Sequence, residues 1–548
     1  MPAVPPYEPR MLSQPSATAE TDTQLRGSSL LLAGRLLATG VAFFTQVLLV
    51  RYLSTDDFGA FAYGLGVVVS ARILVSLGHN RIITRFVAIY RERNDGARLL
   101  GVLVMELLLI GSLGTALFVG VFAAQDVLVG TVIDDRGTVA VLAILILLAP
   151  LEAFDELAES ILAAYGRAVS IFWRQHVIAP ALRLGVVLLL IALDAGVTFL
   201  AIGYVAATLA GLLFYTLLLR RLLKAEQVIG AGVSPRPPVR DVFGYSFPLL
   251  TAEFVYISVN TISVVVLGFF HGSRAVGQLR AIGPLSELNL IVRRQFLRLF
   301  LANGARLYER NDLAALRTTY VRTAAWLAVL TFPVLAVTVP MAEPVTVALF
   351  GERYAGSAPY LALLAAGFYV NAAAGFNAEL LQIAGRVRWL VVANVITIAL
   401  HVSFVFLLGY RLGALGIALA TAIALVVQNA VNQIGVRSVL GAAIPRPLPR
   451  VYLAVAVAIS ALAAVQLLAQ PALFVGLVLV VLATAAILRV TRDVLVLGDV
   501  LPRLRAVPVV RSLVAGSDDG RHSIRDAVSG GRRRRRPAHR KQTARRRR

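Results

Sequence analysis

The sequence contains no cysteine, only two lysines and little charge for its length. Without cysteine, disulfides, thiolate metal sites and cysteine nucleophiles are excluded. Neither Lys224 nor Lys541 follows a glycine, so the chain has no Walker A loop and no ATPase of that type. Charged residues make up 15% of the 548 residues, whereas soluble proteins contain about 25%. This composition excludes an ordinary soluble enzyme, a disordered protein and a typical nucleic-acid-binding domain.

Long apolar runs take the place of the missing charge. Hydrophobic residues make up 58% of the chain and the mean hydropathy is +0.78. A membrane-spanning helix needs about 20 mostly apolar residues. We therefore predict an all-α polytopic membrane protein with about 14 transmembrane helices and no cofactor or metal ion. The predicted spans are 28–50, 58–78, 99–123, 138–163, 173–192, 197–219, 246–269, 276–302, 322–340, 358–383, 389–408, 413–436, 451–469 and 471–488.

The basic residues between these spans predict the orientation. With residue 1 inside, the cytoplasmic segments before residue 489 carry 23 basic residues, and the external loops carry five. An excess of Lys and Arg marks cytoplasmic loops. The sequence therefore predicts a multi-pass protein with both termini in the cytoplasm.

Two short segments recur at nearly the same spacing. Residues 57–61 resemble 275–279, which lie 218 positions later, and residues 162–167 resemble 381–386. We infer two six-helix lobes, 28–219 and 246–437, joined by a cytoplasmic linker, 220–245, and followed by two extra helices, 451–488. Six spans per lobe make the lobes parallel repeats, and transporters built from repeats bind substrate at the repeat interface.

Four of the arginines inside predicted spans are candidates for a cavity. An arginine at such depth costs about 2.5–3.5 kcal/mol and usually faces a cavity or a partner. Arg35 and Arg280 lie close enough to an interface for their side chains to reach it. Arg183 lies near the midplane, where a buried ion pair is the alternative to a cavity. The candidate cavity arginines are Arg35, Arg72, Arg183 and Arg280.

Acidic residues are concentrated at the end of the fourth span. Glu152, Glu156 and Glu159 share one helical face, and Asp155 lies between them. The cluster predicts either structural salt bridges or a cation or proton site for ion coupling. Glu253 and Glu287 add negative charge to the C-terminal half.

Short sequence motifs at the ends of the predicted helices resemble those of a known family. Residues 53–59, 77–78 and 85–88, and then 245–248, 267–270, 275–277, 350–354 and 384–386, are similar to the polysaccharide-exporter and oligosaccharide (O-antigen-type) flippase branch of the multidrug/oligosaccharidyl-lipid/polysaccharide flippase superfamily. The resemblance covers about 28–440. It implies two lobes around a central cavity that move lipid-linked glycans across the plasma membrane by alternating access.

The same resemblance implies what the cavity binds. A polyprenyl diphosphate head group is an anion that guanidinium groups hold in bidentate geometry. Relatives line their cavities with spans one, two and eight, which carry Arg35, Arg72 and Arg280, and place span five, with Arg183, further away. We therefore expect a flippase or exporter of polyprenyl-diphosphate-linked oligosaccharide for surface polysaccharide biosynthesis.

Three alternatives remain open. A peptidoglycan lipid-precursor flippase has the same fold, and a multidrug or ion antiporter places an acid in the N-terminal lobe. A polytopic glycosyltransferase or ligase needs a sizeable external loop with catalytic groups, but the longest external loop, 341–358, holds only Glu343, Glu352 and Arg353 as charged residues. We therefore expect a transporter and not an enzyme.

The repeat also predicts a contact between the lobes. Arg35 and Glu253 are 218 positions apart, so they occupy equivalent places at equal depth in the two lobes. Opposite charges there predict an inner-gate ion pair, and the alternative is that Arg35 pairs with Glu152 or Glu156 in its own lobe.

Both ends of the chain are predicted to be disordered and cytoplasmic. Residues 1–27 are rich in proline, and residues 489–548 are strongly basic. A basic tail is attracted to anionic lipid by about 1 kcal/mol per residue near the surface. An acidic partner among glycan-assembly enzymes is the alternative, and no specific nucleic acid is expected.

Overall fold

The computed structural model describes residues 17–131, 135–226, 228, 233–246, 253–254, 257–441 and 447–495. The described residues are almost entirely helical and contain no strand, as the sequence predicts. Thirteen helical stretches in them are long and apolar enough to cross a membrane. Residues 1–16 and 496–548, which contain much of the predicted disordered N-terminus and most of the basic tail, lie outside the described residues.

The helices of the N-terminal half begin with α1 and end with α10, which runs into the predicted linker. They are α1 (Ala17–Tyr52), α2 (Thr55–Ser76), α3 (Asn80–Glu92), α4 (Gly96–Ala123), α5 (Gln125–Thr131), α6 (Arg136–Leu145), α7 (Leu148–Ala164), α8 (Ala168–Ile171), a π-helical turn (Phe172–Ile178), α9 (Ala179–Ala192) and α10 (Val197–Ala225).

The remaining helices form the linker, the C-terminal half and the two extra spans. They are α11 (Val239–Ser246), a second π-helical turn (Ser258–Ile262), α12 (Ser263–Ala281), α13 (Gly283–Ser286), α14 (Leu288–Glu309), α15 (Leu313–Leu330), α16 (Phe332–Thr338), α17 (Ala342–Phe350), a 3₁₀ turn (Glu352–Ser357), α18 (Ala358–Ala373), α19 (Asn377–Ile383), α20 (Val387–Leu412), α21 (Ala414–Leu440), α22 (Pro447–Ala469), α23 (Leu473–Val490) and α24 (Arg492–Leu495).

The difference between thirteen and fourteen spans arises at 246–302. In the structure, Asn260–Ser286 is one helical stretch long enough to cross a membrane. The sequence instead predicts one span ending at 269 and another starting at 276. Gly272 interrupts α12 with φ of 74° and ψ of −179°, so the helix has two arms that correspond to the end of one predicted span and the start of the next. Residues 247–252 and 255–256 of the predicted seventh span lie outside the described residues.

The first helix also starts earlier than the sequence predicts. Helix α1 begins at Ala17, inside the segment that the sequence predicts to be disordered. The last proline of that segment is Pro15, and the alanine, glutamate and leucine that follow tolerate a helix well. The helix therefore starts soon after the last proline, within the range 1–27.

The inferred repeat has a counterpart in backbone geometry. Gly166 after α7 and Gly385 after α19 both have φ of 68°. In the first, the amide of Arg167 donates to Leu162 O at 2.9 Å; in the second, the amide of Arg386 donates to Leu381 O at 2.9 Å. Both are Schellman endings, in which glycine adopts the left-handed conformation that other residues avoid. The two lobes end this helix in the same way, which supports the duplication.

The lobes contact each other along α2 and α12 and at the predicted external side. Thr261, in the turn before α12, donates to Gly66 O of α2 at 2.6 Å. Arg353 donates to the backbone oxygen of Arg51 at 2.8 Å. One buried apolar core runs through both lobes, and a second core lies within the N-terminal lobe. These contacts hold the lobes together around the cavity described next.

Candidate functional site

A cavity of about 790 Å³ lies between the N-terminal lobe and the start of the predicted eighth span. Helices α1, α2, α7, α9 and α10 and the first π-helical turn line it from one lobe, and α12 and α13 line it from the other. The structure brings nine of the ten candidate charged residues to this one cavity: Arg35, Arg72, Glu152, Asp155, Glu156, Glu159, Arg183, Arg280 and Glu287.

The cavity lining does not have the net positive charge that the diphosphate hypothesis suggests. Five arginines line it, because Arg174 joins the four that the sequence singles out, and they face five carboxylates. The formal charges of the lining cancel. An anion that enters therefore meets arginines that already have acidic neighbours.

Helix α7 supplies four of the five carboxylates. Glu152, Asp155, Glu156 and Glu159 all line the cavity, as their spacing on one helical face predicts. Asp155 is the most buried of them, with 8% of its surface exposed. The helix continues to the Schellman ending at Gly166, so the acidic face is part of a regular element.

Four of these side chains form a chain of ion pairs, which we call the Arg72 chain. Arg72 Nη1 donates to Glu156 Oε1 and lies 3.9 Å from Glu152 Oε2. Arg183 Nη2 donates to Glu152 Oε1 at 3.0 Å, and its guanidinium lies 5.5 Å from the centre of the Tyr204 ring. Glu152 is therefore shared between two arginines, one from α2 and one from α9.

A second group, which we call the Arg174 cluster, lies deeper in the wall. Arg174 Nη2 donates to Asp155 Oδ1 at 2.7 Å. Gln175 Nε2 donates to Asp155 Oδ2 at 3.1 Å and to Glu159 Oε2 at 3.0 Å. The side chains of Arg174 and Asp155 are 4% and 11% exposed, whereas that of Arg183 is 44% exposed. The Arg174 cluster is thus the buried part of the network, and the Arg72 chain faces the cavity.

The C-terminal lobe contributes Arg280 and Glu287. Arg280 of α12 donates to the backbone oxygen of Asn260, and its own backbone oxygen accepts from Gln46 Nε2 of α1 at 3.0 Å. Glu287 and Arg35 line both the main cavity and a smaller slot of about 170 Å³ between α1 and α14. The other slot residues are largely apolar or uncharged apart from Arg294: Leu36, Thr39, Phe43, Pro284, Leu288, Ile291 and Gln295.

Glu253 is the candidate that does not line the cavity. It is 9% exposed, and it precedes residues 255–256, which lie outside the described residues. Arg35 is exposed and lines the cavity. The Arg35–Glu253 gate stays a prediction.

Sequence reasoning missed Arg174 and Gln175 as site residues. On a regular helix, Arg174 and Arg183 point about 180° apart, because each residue turns the helix by about 100°. The π-helical turn Phe172–Ile178 changes this register, and both arginines line the cavity. Single π turns occur often at functional sites, but no residue pattern in this segment predicts one.

Comparisons with known proteins agree with this architecture. The family model described as polysaccharide biosynthesis protein matches residues 24–292, which includes the cavity residues of both lobes. This match confirms the resemblance indicated by the helix-end motifs. A search of curated proteins gave no match.

Two solved structures share the fold at low sequence identity. The lipid II flippase MurJ in an inward closed conformation is 12% identical, covering 85% of this chain and 99% of its own, with a TM-score of 0.65. An inward-facing multidrug resistance MATE family transporter of the MOP superfamily is 14% identical, covering 74% of this chain and 94% of its own, with a TM-score of 0.59. The fold and the family match support a membrane flippase or transporter.

Proposed function

We propose that the protein translocates polyprenyl-diphosphate-linked oligosaccharide across the plasma membrane by alternating access, for the biosynthesis of a surface polysaccharide. The observation that carries this proposal is a charged cavity that shares its wall with a smaller slot, half of whose lining residues are apolar. Arg35, Thr39, Pro284 and Glu287 line both. The cavity suits a polar head group, and the slot suits the hydrocarbon chain attached to it.

The chemistry of the cavity fits a diphosphate. Guanidinium groups hold phosphates through paired hydrogen bonds, and Arg72, Arg183 and Arg280 approach the cavity from three helices. The match to the polysaccharide biosynthesis family supports a glycan as the remainder of the substrate. In this proposal both termini are cytoplasmic, and anionic lipid attracts the basic tail.

The contacts between the lobes fit alternating access. At the predicted external side, Arg353 donates to the backbone of Arg51. The cavity extends toward the predicted cytoplasmic side as far as Arg35 and Glu159. A substrate made in the cytoplasm would enter from this side, and separation of the external contacts would release it.

The test is translocation in proteoliposomes. The purified protein is reconstituted with a fluorescent polyprenyl-diphosphate-linked oligosaccharide, and translocated lipid is measured by its accessibility to an external quencher. We expect translocation by the wild type and none by the variant with Arg72, Arg183 and Arg280 replaced by alanine. Correct folding of the variant is checked by its elution volume and melting temperature, and its incorporation into the liposomes by flotation with them. Full transport by the variant would refute the cavity assignment.

A peptidoglycan lipid-precursor flippase is the second candidate, favoured by the likeness in fold to the lipid II flippase. That lipid carries the same diphosphate linkage, so the arginines do not discriminate between the two. The same assay with each lipid in turn does. Transport of the peptidoglycan precursor alone would replace the first proposal, and transport of a hydrophobic cation alone would favour a multidrug antiporter.

A further inference from the structure

The arginines proposed to bind the diphosphate and the carboxylates of α7 are partners in one network. Arg72 pairs with Glu156, and Arg183 pairs with Glu152 at 3.0 Å. Because Arg72 also lies 3.9 Å from Glu152, the four side chains are linked in series. A diphosphate therefore has to compete with carboxylates for these guanidinium groups. This inference rests on the proposed function.

The two halves of the network differ in how easily they can exchange partners. The side chains of Arg72 and Arg183 are 23% and 44% exposed, so an anion in the cavity can reach them. Arg174 is nearly enclosed and lies 5.5 Å from the centre of the Tyr215 ring. Exchange is expected in the Arg72 chain, while the Arg174 cluster keeps its pairing.

Exchange removes Arg72 from Glu156 and Arg183 from Glu152, and the four carboxylates of α7 stay close together. Glu152 and Glu156 are one helical turn apart, and Asp155 and Glu159 share the same face. A diphosphate bound beside them adds further negative charge. Like charges at short distance disfavour the ionised form of a carboxyl group, so one of the two released carboxylates gains a proton.

We propose that substrate binding is coupled to proton uptake: the diphosphate takes Arg72 and Arg183 from Glu156 and Glu152, and the released pair takes one proton from water in the cavity. The balance is one proton removed from solution and one carboxyl O–H bond formed for each diphosphate bound. The diphosphate and the proton then occupy the cavity together, which differs from an antiporter that exchanges them.

Other titratable and charged groups surround the released pair. The groups that line the same cavity are Arg35 of α1, Asp155 and Glu159 of α7, Arg174 of the π turn, Tyr204 of α10, Arg280 of α12, and Glu287 after α13. His176 also lies in the π turn but does not line the cavity. Their charges contribute to the local potential in every variant described below. A comparison at Glu152 and Glu156 alone therefore isolates the proposed proton site.

Thermodynamic linkage determines the sign and the size of the pH dependence of diphosphate affinity. If binding takes up one proton, the affinity for the diphosphate rises by about tenfold for each unit by which the pH falls, over the range where the pair is ionised in the free protein. By reciprocity, the factor by which protonation of the pair raises the affinity for the diphosphate equals the factor by which bound diphosphate raises the affinity of the pair for a proton.

The experiment uses the full-length protein in detergent and geranylgeranyl diphosphate as the probe. Calorimetric titrations in two buffers with different ionisation enthalpies give the number of protons taken up. We expect about one more proton for the wild type than for the Glu152→Gln/Glu156→Gln variant, which should bind the probe at least as tightly because its arginines are released. The titration of the probe's own phosphates is common to both proteins and cancels in this comparison.

The matched control is Glu343→Gln, which neutralises an exposed carboxylate outside the cavity, and it should behave as the wild type. If the double variant misfolds, the two single glutamine variants carry the same comparison, and each should lose part of the uptake.

The outcomes separate the two proposals. Absence of probe binding by the wild type counts against the proposed function. Binding with equal proton uptake in the wild type and the double variant overturns the coupling alone. Affinity that rises with sodium at constant pH, without proton uptake, also overturns it, since a metal cation would then balance the released carboxylates.

Discussion

Gly59 of α2 and Gly277 of α12 contact each other backbone to backbone, and they occupy the same position in the two repeats. A Cβ atom on Gly277 would lie 3.2 Å from both N and Cα of Gly59. The neighbours of the two glycines are also equivalent in the repeats. A Cβ on Gly59 would overlap the carbonyl of Ser273, and a Cβ on Gly277 would overlap the carbonyl of Thr55, which is 218 positions before Ser273.

This reciprocity locates the symmetry axis of the repeat. The neighbouring ion pair between Asp56 and Arg274 spans 218 positions, which is the repeat spacing. In a two-fold arrangement a residue touches its own counterpart only at the axis. The lobes therefore close against each other at this axis on the predicted external side, through glycines that allow the close approach.

The first prediction concerns this glycine contact. Gly277→Ala places a methyl group where the backbone of α2 now lies, so the lobes must separate. Because the protein has no cysteine, spin labels can be placed at Ser54→Cys and Glu352→Cys alone. We expect a longer and broader distance distribution between them in the alanine variant. Gly111→Ala, where a Cβ would meet nothing within 4 Å, is the control, and equal distributions in all three proteins would refute a steric closure.

The second prediction separates steric closure from charge. The side chains of Arg274 and Asp56 are 69% and 51% exposed, with Nη2 2.8 Å from Oδ2. Exposed ion pairs contribute about 0–1 kcal/mol, so Asp56→Asn should change the initial rate of translocation by less than about fivefold. Loss of most of the translocation activity in Asp56→Asn would instead make the ion pair the main external contact.

The third prediction concerns the buried ion pair. Arg174→Ala leaves Asp155 charged without its partner in a largely enclosed place, and such a loss costs about 3–5 kcal/mol. We expect a clearly lower melting temperature in detergent. The more exposed Arg183→Ala should lower it much less, and Asp155→Asn combined with Arg174→Ala should recover part of the loss. Equal melting temperatures for Arg174→Ala and the wild type would mean that the pair does not stabilise the lobe.

Sequence periodicity predicted the features that follow from regular helices, namely the positions of the spans and the face on which a side chain lies. The apolar runs located the spans, and the spacing of Glu152, Glu156 and Glu159 placed them on one face, which the structure directs into the cavity. The repeat spacing predicted two equivalent lobes. Schellman endings occur at the equivalent positions Gly166 and Gly385, in agreement with this spacing.

Irregular backbone was beyond such reasoning. The π turn at Phe172–Ile178 brings Arg174 to the cavity wall, and no residue pattern marks it. The break at Gly272, by contrast, falls between the predicted spans 246–269 and 276–302. Ion-pair partners were also undetermined, because a span sequence gives depth but not the neighbour that faces a side chain. The pairing of Arg183 with Glu152 therefore required the structure.

The fourth prediction tests the geometry of recognition at Arg72. Lysine keeps the positive charge but replaces a planar fork by a point charge. We expect Arg72→Lys to retain part of the translocation activity and Arg72→Ala to lose it, when both are measured with the fluorescent lipid-linked oligosaccharide. Arg98→Lys on α4, outside the cavity, is the control for a conservative change. Full activity of Arg72→Ala would remove this residue from the binding site.

The fifth prediction follows from the repeat and concerns the opposite side of the membrane. Arg35 and Glu253 are equivalent positions, and each lies about 10 Å from the predicted cytoplasmic face. The external glycine contact shows that equivalent residues can meet at the axis, so closure on the cytoplasmic side would bring this pair of opposite charges together. We expect translocation to be lost in Arg35→Glu and in Glu253→Arg, and restored when both changes are combined. The two reversals can compensate each other only if the two side chains approach each other at some stage of transport. If they never meet, each reversed charge stays beside the neighbours of the original residue, and the combined variant remains inactive. A combined variant no better than the worse single reversal would show that Arg35 is held within its own lobe.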